Sequence, residues 1–132
     1  MQVTLLGTGD TTGTPTVGCD CDTCERSRDP GDALRRRLRE RGVESPRERD
    51  IERTRFSVHV RNERTGESLL IDASPDFRYQ FLREGVDLPD AVVVSHVHFD
   101  HLDGLGNAYR LLEDVPVYAA DETDPKTGES VA

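Results

Sequence analysis

Four apolar residues, Ala91-Val92-Val93-Val94, run directly into Ser95-His96-Val97-His98-Phe99-Asp100-His101, and this junction constrains the chain more than any other segment. A β-branched run of that length predicts a buried strand. The six positions from His96 to His101 hold three of the four histidines in the chain. The strand end therefore delivers ligand-type side chains into the segment that follows. In extended backbone, residues two apart point to the same side, which lets one divalent cation take both His96 and His98. Asp100 and His101, just beyond, can turn toward a second cation. The pattern predicts a two-metal hydrolytic site in which two cations clamp a water and an anionic oxygen. Asp100 serves there as a ligand, as a proton acceptor for the attacking water, or as both. A solvated His-rich loop would need neither the strand before it nor Gly104 just after it.

The rest of the chain supplies the frame. Residues 2–6 read as a strand, and Gly7 to Gly18 as a turn-rich loop holding Gly7, Gly9, Gly13, Pro15 and Gly18. Asp32 to Arg41 predicts a short helix, with Leu34 and Leu38 four apart and Gly42 after it. Phe56 to Arg61 alternates apolar and polar residues as a half-buried strand does, which sets His59 with Ser57 and Arg61 on a polar face. Ser68 to Asp72 returns as a second strand after a turn through Gly66. Pro75 to Arg83 predicts a helix closed by Gly85, Asp103 to Leu112 another, and Val115 to Ala119 a short strand. The tail 121–132 is polar, contains Pro125 and Gly128, and is expected to fray. A hairpin followed by strand–helix–strand alternation gives an α/β layer, a mixed sheet with helices on one face. The other face would stay apolar and open, a mark of an interaction surface or an aggregation liability.

The cysteines form a second cluster, Cys19-x-Cys21-x-x-Cys24, and no others occur. An odd number without an export signal argues against a disulfide framework. Thiolates at this spacing suit a structural zinc, its fourth ligand coming from His59, Asp20, Asp22 or water; three reduced thiols or a redox-sensitive site remain the alternatives. The two clusters lie in different segments and read as independent. Loss of the cysteine-bound ion is then expected to loosen the N-terminal loop and spare the hexad.

Charge narrows the partners. The net charge is −9, and the basic residues are sixteen Arg and a single Lys126. That balance fits a saline cytoplasm, where a dense anionic surface stays hydrated, or an ordinary acidic protein from a GC-rich genome. Either way it disfavours nucleic acid, whose binding relies on neutralising phosphates. Asp32 to Arg55 carries nine Arg against six acids, leaving the remainder at −12. This stretch is either a cationic flap for a phosphate-bearing substrate or a solvated, salt-bridged insertion. No apolar stretch is long enough to span a membrane and no signal-peptide layout opens the chain, so a cytoplasmic setting is expected.

The hexad, set between its Val-rich strand and Leu102-Asp103-Gly104, resembles the signature of the metallo-β-lactamase superfamily. Val3 to Gly9 resembles the opening strand and turn of that family, and Ser68 to Ser74 its strand-then-Asp-Ala segment. Gly18 to Cys24 resembles the phosphoribosyl cyclic phosphodiesterase subgroup, which carries a structural zinc near its N-terminus. The resemblance implies the αβ/βα sandwich of that family, with residues 1–132 supplying its N-terminal half as a partial domain. The Cys knuckle at 19–24 and the Arg-rich insertion at about 32–55 are set within it.

The same resemblance implies that His96 and His98 hold one metal ion, and Asp100 and His101 a second. Zinc or manganese would serve, with iron also admitted. One structural zinc would sit on Cys19, Cys21 and Cys24. Asp72 would orient the metal-bearing loop through hydrogen bonds, although a strand-end Asp capping the turn into Ser74-Pro75 explains it equally. The family completes its site with two further histidines and a bridging aspartate, and no histidine follows His101 here. The function implied is metal-dependent hydrolysis of a small phosphorylated substrate, a cyclic phosphate or other phosphodiester, through a metal-activated water. This chain alone would be weak or inactive, and would self-associate or take a partner over its open sheet face. Two other readings stay open: a non-catalytic or split metal-binding half-domain, and an RNA-processing endonuclease of the same superfamily.

Overall fold

The computed structural model describes residues 1–28, 31, 36–37, 40–42 and 52–120. Five strands form one sheet whose spatial order follows the chain: β1 (Gln2–Gly7), β2 (Ser57–Arg61), β3 (Ser68–Ile71), β4 (Ala91–Val94) and β5 (Val117–Ala119). β1 and β3 pair antiparallel with β2, while β3–β4 and β4–β5 are parallel. The antiparallel β2–β3 step closes through a tight turn, with Asn62 N–H on the Glu67 carbonyl at 2.8 Å and Gly66 at φ 82°. Parallel steps need longer crossovers, which α2 (Phe77–Glu84) and α3 (Phe99–Ala108) provide. A further helix, α1 (Asp22–Arg28), carries Cys24. The sequence suggested only a knuckle there, because seven residues without apolar periodicity give no helical signal.

The core lies between the sheet and α2 and α3. Leu6, Leu70 and Val92 meet Ala73, Phe77, Phe81, Ala108 and Leu112 there, and the Phe77 and Phe81 rings stack at 4.2 Å. Gly85 ends α2 as expected, at φ 63° with its N–H on the Phe81 carbonyl. A short extended strap, residues 52–56, crosses below the N-terminal loop. Gly9 N–H reaches the Thr54 carbonyl at 2.7 Å, and Thr14 and Arg53 exchange two 2.8 Å bonds. Buried Gln80 ties the strap to α2: its amide nitrogen reaches Thr54 Oγ1 (3.0 Å) and the Arg55 carbonyl (2.7 Å), and its Oε1 accepts from Ser74 Oγ (3.0 Å).

Two expectations need correction. The helix expected over 103–112 runs over Phe99–Ala108, so Asp100 and His101 sit in its first turn rather than in a loop. The second concerns His59. Residues paired across strands share a face, and the register places Thr4, His59, Leu70, Val92 and Val117 in one row. Since Leu70 and Val92 are core, His59 lies on the helix side, 2% exposed, its ring edge-on to Phe81 at 6.1 Å. Alternation separated the two faces of β2 correctly but could not tell which face the helices cover, because Val58 and Val60 join apolar neighbours on the opposite side.

Most of the helix expected at 32–41, most of the Arg-rich insertion and the tail 121–132 lie outside the described residues. Arg53 and Arg55, at the end of that insertion, belong to the strap. Among the described residues, no helix is long and apolar enough to cross a membrane.

Candidate metal centre

The site is built where β3 and β4, adjacent and parallel, both end. β3 delivers Asp72, fully buried and at φ 62°, in the left-handed region that Asp tolerates better than most residues. β4 delivers Ser95. The Asp72 carboxylate accepts from Ser95 N–H and Ser95 Oγ, both at 2.7 Å, and stands 2.7 Å from His101 Nδ1. These contacts orient the imidazoles. The Asp72 carboxylate accepts from His101 Nδ1, which turns Nε2 toward Asp100 Oδ2. The Ser95 hydroxyl spends its proton on Asp72 and accepts from His96 Nδ1 at 3.0 Å, which turns His96 Nε2 toward His98.

The remaining donors pair up. His96 Nε2 and His98 Nδ1 are 3.0 Å apart, and His101 Nε2 and Asp100 Oδ2 are 3.2 Å apart. Two ligands on one tetrahedral zinc, each at about 2.05 Å, stand about 3.4 Å apart, so each pair fits one ion with a small opening. The His96 and His101 rings lie 4.0 Å apart, which sets the two pairs side by side. The expected pairing, His96 with His98 and Asp100 with His101, is the one the geometry brings together.

Helix α3 supports this from beneath. His98 is its extended N-cap, and His101 N–H bonds the His98 carbonyl at 2.9 Å. Asp100, buried in the first turn, gains from the positive end of the helix. Gly104 packs its backbone on the turn after β3, its N–H 2.9 Å from the Ala73 carbonyl. The Phe56 ring lies 5.9 Å from His101. Above, Thr11 Oγ1 donates to Asp100 Oδ2 at 3.1 Å.

The cysteine cluster is gathered more closely than the hexad: among the described residues it is the group in which three ligand atoms converge. The three Sγ atoms of Cys19, Cys21 and Cys24 lie within 4.8 Å of one another, a spacing that fits thiolates around one soft ion. Among the described residues the group consists of these three, without His59, Asp20 or Asp22. The Cys21 thiol is brought down to about 7, first by a hydrogen bond from the Cys24 backbone and then by the neighbouring thiols. Cys19 moves up: the Cys21 backbone opposes the shift, but contacts with the Cys21 and Cys24 side chains outweigh it.

Sequence reasoning missed two residues. Ser95, which passes the orientation of Asp72 on to His96, has no ligand-type side chain to mark it; its position between strand and hexad is the available signal. Thr11 gave no signal, since its contact spans 89 positions.

Comparison with known proteins bears on the fold and the family. A family model described as a Beta-lactamase superfamily domain matches residues 67–130. A solved structure described as a new diphosphatase from the PhnP family superposes with a TM-score of 0.65 at 36% identity, covering 95% of this chain and 42% of that one. Zn(2+)-bound PqqB from Methylobacterium extorquens gives 0.56 at 26% identity, covering 90% and 39%. In sequence, 121 residues are 39% identical to an octanoyltransferase of Porphyromonas gingivalis, covering 90% of this chain and 20% of that protein. A stretch of 39 residues is 44% identical to a hydroxyacylglutathione hydrolase of Hamiltonella defensa, covering 30% of this chain and 16% of that protein. The chain thus spans less than half the length of each of these relatives.

Proposed function

We propose that this chain, matched over residues 67–130 by a Beta-lactamase superfamily model, is a metallo-β-lactamase superfamily member carrying part of a dinuclear metallohydrolase centre acting on a small phosphorylated substrate, a phosphodiester. The observation that carries this reading is the Asp72 network, which turns His96 Nε2 toward His98 Nδ1 and His101 Nε2 toward Asp100 Oδ2. When bound, the two ions supply Lewis acidity and a nucleophile at neutral pH. Zinc suits the imidazole-rich donors, and the mixed carboxylate set also admits manganese or iron. His96 and His98 hold one ion, and Asp100 and His101 the other. Asp100 is also the carboxylate placed to take a proton from the nucleophile. Cys19, Cys21 and Cys24 hold a separate structural zinc, a role that suits a reducing, cytoplasmic setting.

The choice of phosphodiester draws on the likeness to the PhnP-family diphosphatase together with the cysteine cluster. Four hexad donors for two ions give two per ion, whereas catalytic zinc usually has three protein ligands. The 132-residue chain is therefore expected to hold its second ion weakly and turn over slowly. We also propose that the sheet face away from the helices is covered by self-association or by a partner chain.

The test combines metal analysis with an assay on bis-p-nitrophenyl phosphate in zinc and in manganese. A His96→Ala/His98→Ala variant is expected to lose the hexad's share of bound metal while keeping one equivalent at the cysteines. Equal metal content in parent and variant would sink the centre itself. Hydrolysis of a thioester or lactone by the loaded protein, with no action on any phosphodiester, would sink the substrate class.

A further inference from the structure

The two clusters are joined by six residues. At one end of the segment 11–16, Thr11 Oγ1 donates to Asp100 Oδ2 at 3.1 Å. At the other, Thr16 N–H points to Cys24 Sγ at 3.4 Å, and Arg28 Nη2 clasps the Thr16 and Cys19 carbonyls at 2.9 and 2.7 Å. The span between them is braced. Asp10 Oδ1 accepts from Thr12 N–H, Thr12 Oγ1 and Gly13 N–H, at 3.0, 2.9 and 3.0 Å. Thr16 Oγ1 donates to the Gly13 carbonyl at 2.8 Å, and Thr14 is paired with Arg53 on the strap. Thr11 is anchored as well: its carbonyl accepts from Arg55 Nε at 3.1 Å, and Arg55 Nη1 is held by Asp76 Oδ1 at 2.8 Å. A segment tied at this many points transmits a displacement of Cys24 toward Thr11 instead of absorbing it.

We propose that metal occupancy of Cys19, Cys21 and Cys24 sets the metal affinity of the hexad, with segment 11–16 as the connector and Thr11 as the positioning residue on Asp100. This rests on reading both clusters as metal sites. A metal ion drawing the three thiolates together fixes Cys24, and with it Thr16. The braced segment then holds the Thr11 hydroxyl on Asp100 Oδ2, keeping that carboxylate beside His101 Nε2. With the cysteines empty, Thr11 is held from the Arg55 side alone, its hydroxyl is less firmly set on Asp100 Oδ2, and more of the ordering of Asp100 falls to the incoming ion. Removing a partner that orients a ligand typically costs about 10–100-fold in metal affinity. Coupling between sites is reciprocal, so a loaded hexad also tightens the cysteine site by the same factor. On this proposal the two clusters are coupled, in place of the independence expected from their separate segments.

The test is a cobalt titration of the metal-stripped 132-residue chain, read by the visible d–d bands of the hexad. One arm has the cysteines preloaded with one equivalent of Cd²⁺; the other has them removed as Cys19→Ser/Cys21→Ser/Cys24→Ser, with folding checked by circular dichroism. Hexad affinity is expected to be about tenfold higher in the loaded arm. Thr11→Val should erase the difference between arms, and Thr11→Ser should restore it. A charge effect of the bound Cd²⁺ alone would persist in Thr11→Val, so persistence overturns the connector. Hexad bands of equal affinity in both arms overturn the coupling while leaving the metal centre standing. Bands that are absent from both arms, or that survive His96→Ala/His98→Ala, overturn the metal centre and the coupling with it.

Discussion

Burial decides the protonation of His59, and this makes stability pH-dependent at one identifiable position. The ring is 2% exposed, and among the described residues its Nε2 has no hydrogen-bond partner. Burial lowers its pKa below the ordinary 6.5; the Asp87 backbone and carboxylate pull the other way, and Arg61 adds to the lowering. The unfolded chain therefore takes up the proton first as pH falls. The His59 contribution is fully present above about 6.5 and is lost as pH drops from there toward the lower folded value. Denaturant midpoints measured from pH 8 to pH 5 are expected to fall more steeply in the parent than in His59→Leu, where nothing titrates at this position. Parallel profiles would show that the buried imidazole is not charged at a cost. Asp72 poses the opposite problem, a buried carboxylate that is fully engaged. Its strand-end position was visible in the sequence. Its reach was not, because Ser95 and His101 meet it only once β3 and β4 lie side by side.

At the scale of elements, α3 is where sequence and structure diverge most informatively. Strands β2, β3 and β4 were legible from their β-branched and apolar runs, and α2 from its closing Gly85. The start of α3 was not legible, because His98 is an unusual N-cap that makes no side-chain cap bond, and the histidine-rich turn resembles a loop. What fixes α3 is a close approach. A Cβ at Gly104 would stand 2.1 Å from the Ser74 carbonyl oxygen and 2.7 Å from that of Ala73, whereas one at Gly106 would meet nothing within 4 Å. The two glycines, two positions apart on one helix, form an internal control. Gly106→Ala should stabilise by about 0.5–1 kcal/mol through helix propensity alone. Gly104→Ala should cost about 1–3 kcal/mol, the range for overpacking, and should weaken cobalt binding at the hexad, since α3 must move away carrying Asp100 and His101. Thermal melts of the two variants check the opposite signs. Stabilisation by both would show that α3 does not depend on contact with the β3–α2 turn.

On the scale of the whole molecule, both faces of the sheet carry apolar rows, but the described helices cover only one. On the far side the register aligns Leu5, Val58, Ile71, Val93 and Tyr118 in one row, and Val3, Val60, Leu69 and Ala91 in the next. Val3, Leu5 and Tyr118 are 56%, 59% and 58% exposed, and all three lie on the edge strands β1 and β5. Contiguous apolar surface of this kind favours association, while a charge of −9 on each copy opposes it. The two effects differ in how they respond to salt. Charge repulsion is screened beyond about 8–10 Å at 0.1–0.15 M salt and beyond about 3 Å at 1 M, whereas apolar burial is not weakened by screening. Self-association of the 132-residue chain should therefore rise with protein concentration and strengthen from low to high sodium chloride, the reverse of an assembly held by ion pairs. Replacing Val3 and Leu5 with Thr places a β-branched residue at both positions of β1 while removing apolar area, so the double variant should remain monomeric under conditions where the parent associates. Sedimentation velocity at 0.05 M and 1 M salt separates the possibilities. A parent that stays monomeric throughout, or one that dissociates as salt rises, would mean that the far face of the sheet is not what brings copies together.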